Sequence, residues 1–535
     1  MPFDWSNPYP SVRSPLFARN VVATSQPLAA QAGLAMLRRG GNAVDAAIAT
    51  AAAMTIVEPC SNGLGSDSFA LVWDGSRLQG LNASGTAPVA WTPEYFRRKH
   101  GGQIPLRGWD SVTVPGAVAG WVSLSERFGK LPFAELLAPA IELAERGYGV
   151  GVITADKWAA AVPLLHDQPG YARTFMPRGR APHPGERFAM PEAAATLRRI
   201  AESHGEDFYS GETAERLAAH SAAHDGGMAL LDLRNYAPQW VTPIGKDFGG
   251  HTLHEIPPNG QGIAALMALG MLQYHDLARY PVDSVEAQHL QIEAMKLAFA
   301  DTYRWVADER AMTEVTAADL LDDGYLAERA RLIDPARAQD FAHGQPPRGG
   351  TIYLSTADEG GMMVSLIQSN YMGFGSGVVV PGTGVSLQNR GHGFTLDESH
   401  PNVVAPGKRP FHTIIPAFLT QDGQPRMSYG VMGGNMQPQG HLQTLVRMLV
   451  YGQQPQAACD APRWKVASGL TIDCEHTMAP ALAQALRARG HQIQAAGDSY
   501  MDFGSGQFVW RLGDDLEDGY VAASDARRDG QAVGF

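Results

Sequence analysis

The chain has 535 residues, more than one ordinary core needs, so it folds as two lobes or as one large layered domain. Hydrophobic residues at 44% and charged residues at 18% describe a globular protein, and 59 glycines with 36 prolines indicate many turns rather than disorder. The net charge of −12 argues against nucleic acid or an anionic membrane as partner and makes a small molecule the default substrate.

In chain order, the opening MPFDWSNPYPSVRS has neither a basic stretch nor an apolar run of signal-peptide type, and a cytoplasmic protein is expected. A strand over Val21–Thr24 leads to Pro27, a good first helical residue, and an Ala/Leu/Met helix to Arg39 that Gly40-Gly41-Asn42 stops. A second Ala-rich helix covers Ala43–Val57, and the small residues on both predict close helix packing. Its apolar run is too short to span a bilayer, so no membrane role is expected. EPCSNGLGSD (58–67) breaks the pattern before two short strands, Ser68–Trp73 and Leu78–Asn82. The region from about Trp91 to Tyr280 reads as helices with Pro/Gly interruptions, followed by a long amphipathic helix over Gln288–Asp308 and a charged, helical stretch over Asp319–Phe341.

GQPPRGG at 344–350 then reads as an exposed, extended linker. Behind it Thr351–Ala357 and Met362–Ser369 favour strand, with turn residues Asp358-Glu359-Gly360-Gly361 between them. A hydroxyl therefore opens a central strand directly after a glycine. Cleavage of Gly350–Thr351 would free an α-amine beside that hydroxyl to act as its base, which suits an N-terminal nucleophile. The plain alternative is that Thr is a good strand former at a strand's first position. Further on come a Gly-rich loop at 373–377, strands over His412–Thr420 and Pro425–Val431, and a helix from about Gln439 to Tyr451. Gly433-Gly434-Asn435 stands at the strand-to-helix turn, where N–H groups can hold an oxyanion.

Cys60, Cys459 and Cys474 are an odd set without C-x-x-C spacing, so reduced thiols are expected rather than disulfides or a zinc knuckle. G-x-S-x-G, H-E-x-x-H and the P-loop pattern are missing, and Gly63-Leu64-Gly65 lacks the third glycine of a dinucleotide fingerprint. His392, His400, His412 and His441 lack ligand spacing, so neither cofactor nor metal is expected.

Several stretches together resemble the gamma-glutamyltransferase family of N-terminal nucleophile hydrolases: GGNAVDAAIA (40–49), EPCSNGLGSD, Ala87-Pro88, Val114–Gly116, EAMKLAFAD, Thr351, Asn370, Phe374-Gly375, Gln388-Asn389, Lys408-Arg409-Pro410, Gly433-Gly434 and SDARRDG from Ser524. The resemblance implies an α+β fold, a four-layer αββα sandwich. It implies self-cleavage into a large segment, 1–350, and a small one, 351–535, that stay assembled and could pair as a dimer of such heterodimers. It also implies roles: Thr351 attacks the amide, Asn370 orients it, the Gly433 and Gly434 amides hold the oxyanion, and water accepts the acyl group. Departures from the transpeptidase pattern fall where substrate is recognised. Gly393 stands where the family keeps an acid for the substrate α-amine, Ser84 where it keeps an arginine for the α-carboxylate, His412-Thr413 at the paired serines, Arg390 at the glutamine after Asn389, and Ile352 after the nucleophile. Losing both charge partners disfavours a free glutamyl head group. Arg390, Asn389, His412, Thr413 and Ser84 are thus the expected substrate contacts, and a short amide with an acid end, as an oxamate amidohydrolase would take, is the expected substrate. A γ-glutamyl hydrolase or transferase, and an uncleaved binding protein, are the alternatives.

Overall fold

The computed structural model describes residues 12–341, 350–496 and 503–535. Most of the expected linker, 344–349, and the first eleven residues lie outside this set.

Fourteen strands build two seven-stranded sheets. They are β1 (Leu16–Ala18), β2 (Val21–Thr24), β3 (Asp67–Trp73), β4 (Leu78–Ala83), β5 (Gln239–Val241), β6 (Ile244–Phe248), β7 (His251–Glu255), β8 (Gly350–Ala357), β9 (Met363–Tyr371), β10 (Ala417–Gln421), β11 (Gln424–Val431), β12 (Gly506–Arg511), β13 (Tyr520–Ser524) and β14 (Gln531–Gly534). The first sheet runs β14-β2-β8-β9-β3-β4-β5 and the second β1-β13-β12-β11-β10-β7-β6. One apolar layer joins them face to face, with Phe69, Tyr353 and Ile367 from the first sheet meeting Phe418, Val509 and Ala522 from the second. Outside the first sheet pack α1 (Pro27–Arg38), α2 (Ala43–Val57) and α3 (Ala117–Phe128); outside the second pack α4 (Gly262–Leu272), α5 (Val285–Trp305) and α6 (Met436–Leu445). The result is the four-layer αββα sandwich.

Local chemistry explains the frame. Asn42 caps α2 by accepting from the Asp45 N–H while the Asp45 carboxylate accepts from the Asn42 N–H, which ends one helix turn and starts the next. A side chain on Gly33 would collide with the Thr50 hydroxyl, so α1 and α2 approach as closely as their small residues predict.

Some boundaries differ from expectation. The helix placed at Gln439 starts at Met436, because Pro438 lies in the first turn, where its missing N–H costs nothing. The strand expected over His412–Thr420 pairs only from Ala417, and the residues before it form an extended wall of the site. Over Asp319–Phe341 only the short helices Ala317–Leu320 and Asp323–Ala330 form. Among the described residues no helix is long and apolar enough to cross a membrane, and all three cysteines are buried free thiols.

Candidate active site

β8 and β9 are the centre of the first sheet. In their ladder Gly350 pairs with Tyr371 and Ile352 with Gln368, so Thr351 alone faces two residues, Ser369 and Asn370, across a β-bulge. Strand alternation sends Tyr353 and Ile367 into the layer between the sheets. Thr351 and Ser369 follow them on that face, and their hydroxyls share a hydrogen bond of 3.1 Å.

Asn370 points the opposite way. Its Oδ1 accepts from the Ser66 hydroxyl at 2.8 Å and its Nδ2 donates to Ser386 at 3.4 Å. The hydroxyl in contact with Thr351 is therefore that of Ser369, and Asn370, expected to orient the nucleophile, bonds to Ser66 and Ser386. The Ser369 oxygen accepts from the Tyr371 N–H at 2.7 Å and from Arg390 Nη2 at 3.5 Å. Two N–H donors thus converge on the Ser369 oxygen that shares a hydrogen bond with Thr351 Oγ1. The strand alternation that separates Ser369 from Asn370 was available in the sequence.

From Ser369 a hydrogen-bonded chain runs through the expected binding residues. Arg390 Nη1 donates to Thr413 Oγ1 at 2.8 Å, the Thr413 carbonyl accepts from Gln261 Nε2 at 2.6 Å, and the same Nε2 reaches the Gly434 carbonyl at 2.9 Å. Gln261, remote in sequence, carried no local signal. Gly433 and Gly434 take φ of 122° and 60°, a backbone suited to glycine, and a Cβ on Gly433 would lie 2.9 Å from Gly504 Cα. Neither amide finds an acceptor among the described residues. They precede α6, whose N-terminus adds positive dipole.

Arg390 is wholly buried, and among the described residues no carboxylate lies within ion-pair distance of it. Its Nε has no partner, and its guanidinium lies 4.0 Å over the ring of Tyr371, which the chain delivers from a left-handed backbone at φ 77°. Burial lowers its pKa to about 10, with Tyr371 and Asp67 opposing.

His412 is also fully buried. Its Nδ1 accepts from the Ile414 N–H at 3.3 Å, so Nε2 carries the proton and donates to Asp67 Oδ2 at 3.0 Å. Burial and the nearby Arg390 keep the imidazole neutral, well below the ordinary histidine range. Burial also raises Asp67 to about 7, against the pull of Arg390 and the Gly85 N–H. His412 thus faces Asp67. Two other expected contacts, Asn389 and Ser84, have hydrogen-bond partners within the protein. Asn389 accepts from the Met372 N–H and donates to the Leu106 carbonyl; the Ser84 hydroxyl donates to Asn82 and accepts from Asn259.

One cluster has metal-ligand chemistry: His289, Glu293 and His491 offer atoms within 4.8 Å of one another. Lys296 Nζ stands 2.5 Å from Glu293 and the two imidazoles hydrogen-bond at 2.8 Å, so an ammonium already supplies the positive charge there.

The family model described as gamma-glutamyltranspeptidase matches residues 29–535. The chain belongs to that family. It is 36% identical over 534 residues to the glutathione hydrolase-like YwrD proenzyme of Bacillus subtilis, covering 98% of this chain and 100% of the relative. It is 37% identical to the oxamate amidohydrolase proenzyme of Klebsiella pneumoniae, covering 95% and 97%. The crystal structure of cephalosporin acylase from Bacillus halodurans superposes with a TM-score of 0.95 at 48% identity, covering 100% and 99%. As a gamma-glutamyltranspeptidase family member the chain is an autocatalytically cleaved amide hydrolase with the N-terminal nucleophile hydrolase fold.

Proposed function

We propose that this enzyme cleaves itself at Gly350–Thr351 and then uses Thr351 to hydrolyse a small amide whose carboxylate lies next to the scissile carbonyl. The observation that carries the substrate reading is Arg390: a fully buried guanidinium without a carboxylate partner among the described residues, separated from the nucleophile only by the Ser369 hydroxyl. An unpaired buried cation is costly, and an anionic substrate group there offsets the cost. The short path from Arg390 to Thr351 limits how many atoms separate that group from the reacting carbon. Oxamate, the substrate named for the Klebsiella relative, has this form.

In the reaction, Thr351 Oγ1 attacks the amide carbon and its proton passes to the freed α-amine. The Gly433 and Gly434 amides receive the developing oxyanion. The amine returns the proton to the departing nitrogen, and water then hydrolyses the acyl ester to regenerate the hydroxyl.

The test is a substrate panel on processed enzyme: oxamate, longer ω-carboxy amides, neutral amides, a cephalosporin and a γ-glutamyl anilide. Oxamate and its near homologues should lead. Arg390→Met should leave cleavage intact but weaken acidic amides by about 1.5–3 kcal/mol, the range of a charge-assisted contact, and neutral amides much less. Arg390→Lys should recover only part, because an ammonium lacks the fork. Equal kinetics for Arg390→Met and parent on every acidic amide would remove the anchor. Preferred turnover of the γ-glutamyl anilide would return the enzyme to glutathione hydrolysis.

A further inference from the structure

Asp67 has no role in the reaction described above, yet it pairs across the β3–β9 ladder with Ser369, the residue that Arg390 reaches. It is fully buried, and its carboxylate is held at both oxygens, Oδ1 by the Gly85 N–H at 3.0 Å and Oδ2 by His412 Nε2 at 3.0 Å. The charged and titratable groups around it are Arg390 from the short helical turn Arg390–Gly393, Arg409 and His412 from the segment before β10, and the hydroxyls of Tyr209 and Tyr236. Arg409 is engaged elsewhere, by the carbonyls of Ser84 and Ala237. The site therefore sets Arg390, a cation without a carboxylate partner among the described residues, against one carboxylate already in place.

A substrate carboxylate held by Arg390 brings a second negative charge into the same buried surroundings. Two carboxylates sharing such a site do not both stay ionised at neutral pH; one takes a proton. The substrate acid is held by the guanidinium and is the stronger acid, so the proton goes to the other partner.

We propose that the Asp67–His412 pair is a charge-balancing device of the specificity pocket, taking one proton from solvent when a substrate carboxylate docks on Arg390. The proton adds to a lone pair of the Asp67 carboxyl that accepts from neither His412 Nε2–H nor the Gly85 N–H, taking the pair from a net charge of minus one to zero with both of those hydrogen bonds kept. Release of the acid product returns the proton. The poise of Asp67 near neutrality, raised by burial against Arg390, suits the exchange. This inference rests on Arg390 being the carboxylate anchor.

The experiment is calorimetric titration of processed enzyme with oxalate, which has the acid ends but no amide to cleave, near pH 8 in buffers of different ionisation enthalpy. Wild type should take up about one proton per oxalate bound, and its Kd should weaken by up to about tenfold per pH unit above neutrality. Asp67→Asn, or Asp67→Ser should the first variant not fold, should bind with little uptake and a flat Kd. The freed α-amine of Thr351 titrates in the same range, and an uptake belonging to it would survive the substitution. Binding to wild type without proton uptake, or unchanged uptake in the variant, overturns the pair's role and leaves the anchor standing. Failure of wild type to bind oxalate at any pH would instead remove the anchor and this inference with it.

Discussion

At the scale of the residue, the arrangement turns on which hydroxyl or amide faces Thr351. Ser369 shares a hydrogen bond with Thr351, the proposed nucleophile, and a hydroxyl able to donate there would stabilise the alkoxide that develops as the proton leaves. Ser369→Ala should slow turnover about 10- to 100-fold through kcat, the equivalent of a charge-assisted hydrogen bond, with KM little changed, and should also slow self-cleavage. Asn370→Ala should behave differently. It strips partners from buried Ser66 and Ser386 and should lower stability by about 1–3 kcal/mol in denaturant titration while the purified enzyme keeps most of its kcat. Comparable kcat losses in both variants would defeat the distinction. Asn370 is singled out by resemblance, whereas alternation along β9 places Ser369 on the nucleophile's face. Arg390 and Thr413 are legible as departures from the family pattern, and the structure joins them. Asp67 and Gln261 were not legible, since each reaches the pocket from a strand or helix start distant in sequence and only the tertiary fold brings them to His412 and Gly434.

At the scale of the element, the β11-to-α6 turn converts backbone conformation into chemistry. Gly430 lies where the Tyr353 ring fills the space a Cβ would need, so β11 presses closely on β8. Three residues later Gly433 and Gly434 take positive φ and point amides that have no acceptor among the described residues ahead of the helix. Gly433→Ala meets the Gly504 backbone and a φ that other residues rarely adopt, so the turn must shift. We expect kcat to fall about 100-fold or more with KM nearly constant, the pattern of an interaction made in the transition state; a change in KM alone would reassign the glycines to substrate binding. The glycine pair and the helix are readable in sequence, but the helix begins at Met436 rather than about Gln439, because Pro438 is tolerated in its first turn. A second element-level device lies beyond β13. Burial alone would raise Asp525, but Arg527 and Arg463, with the Gly506 N–H, hold it well below the ordinary carboxylate range. A depressed folded-state pKa contributes stability above the unfolded value of about 3.9 and loses it as pH falls further. Asp525→Asn should therefore cost about 3–5 kcal/mol at pH 7, because it leaves buried arginines undercompensated, and should flatten the acid limb of the stability profile below about pH 4.

At the scale of the whole molecule, the segments on either side of Thr351 are not separable bodies. In the first sheet β8 and β9 lie between β2 and β3, and β14 pairs with β2, so strands from before and after the proposed cut at Gly350–Thr351 alternate across it. In the second sheet β10 to β13 are flanked by β7 and β1. Arg13 adds a clip, donating to the carbonyls of Asp525 at 2.9 Å and Gly530 at 2.8 Å. The two-layer sheet was legible only by resemblance, because strand alternation predicts hairpins such as β8-β9 but cannot show that β14 from the far end returns to β2. The interleaving fixes what the proposed cleavage at Gly350–Thr351 would do. The bond lies at the start of a central strand, and cutting it removes no ladder hydrogen bond of Ile352–Ala357 to either neighbour. The cleaved enzyme should elute from size exclusion in the same position as uncleaved Thr351→Ala, run as two bands on a denaturing gel, and show a single cooperative melt, since neither segment can keep a sheet without the other. Two fragments that part under native conditions, or that melt separately, would contradict the shared sheets.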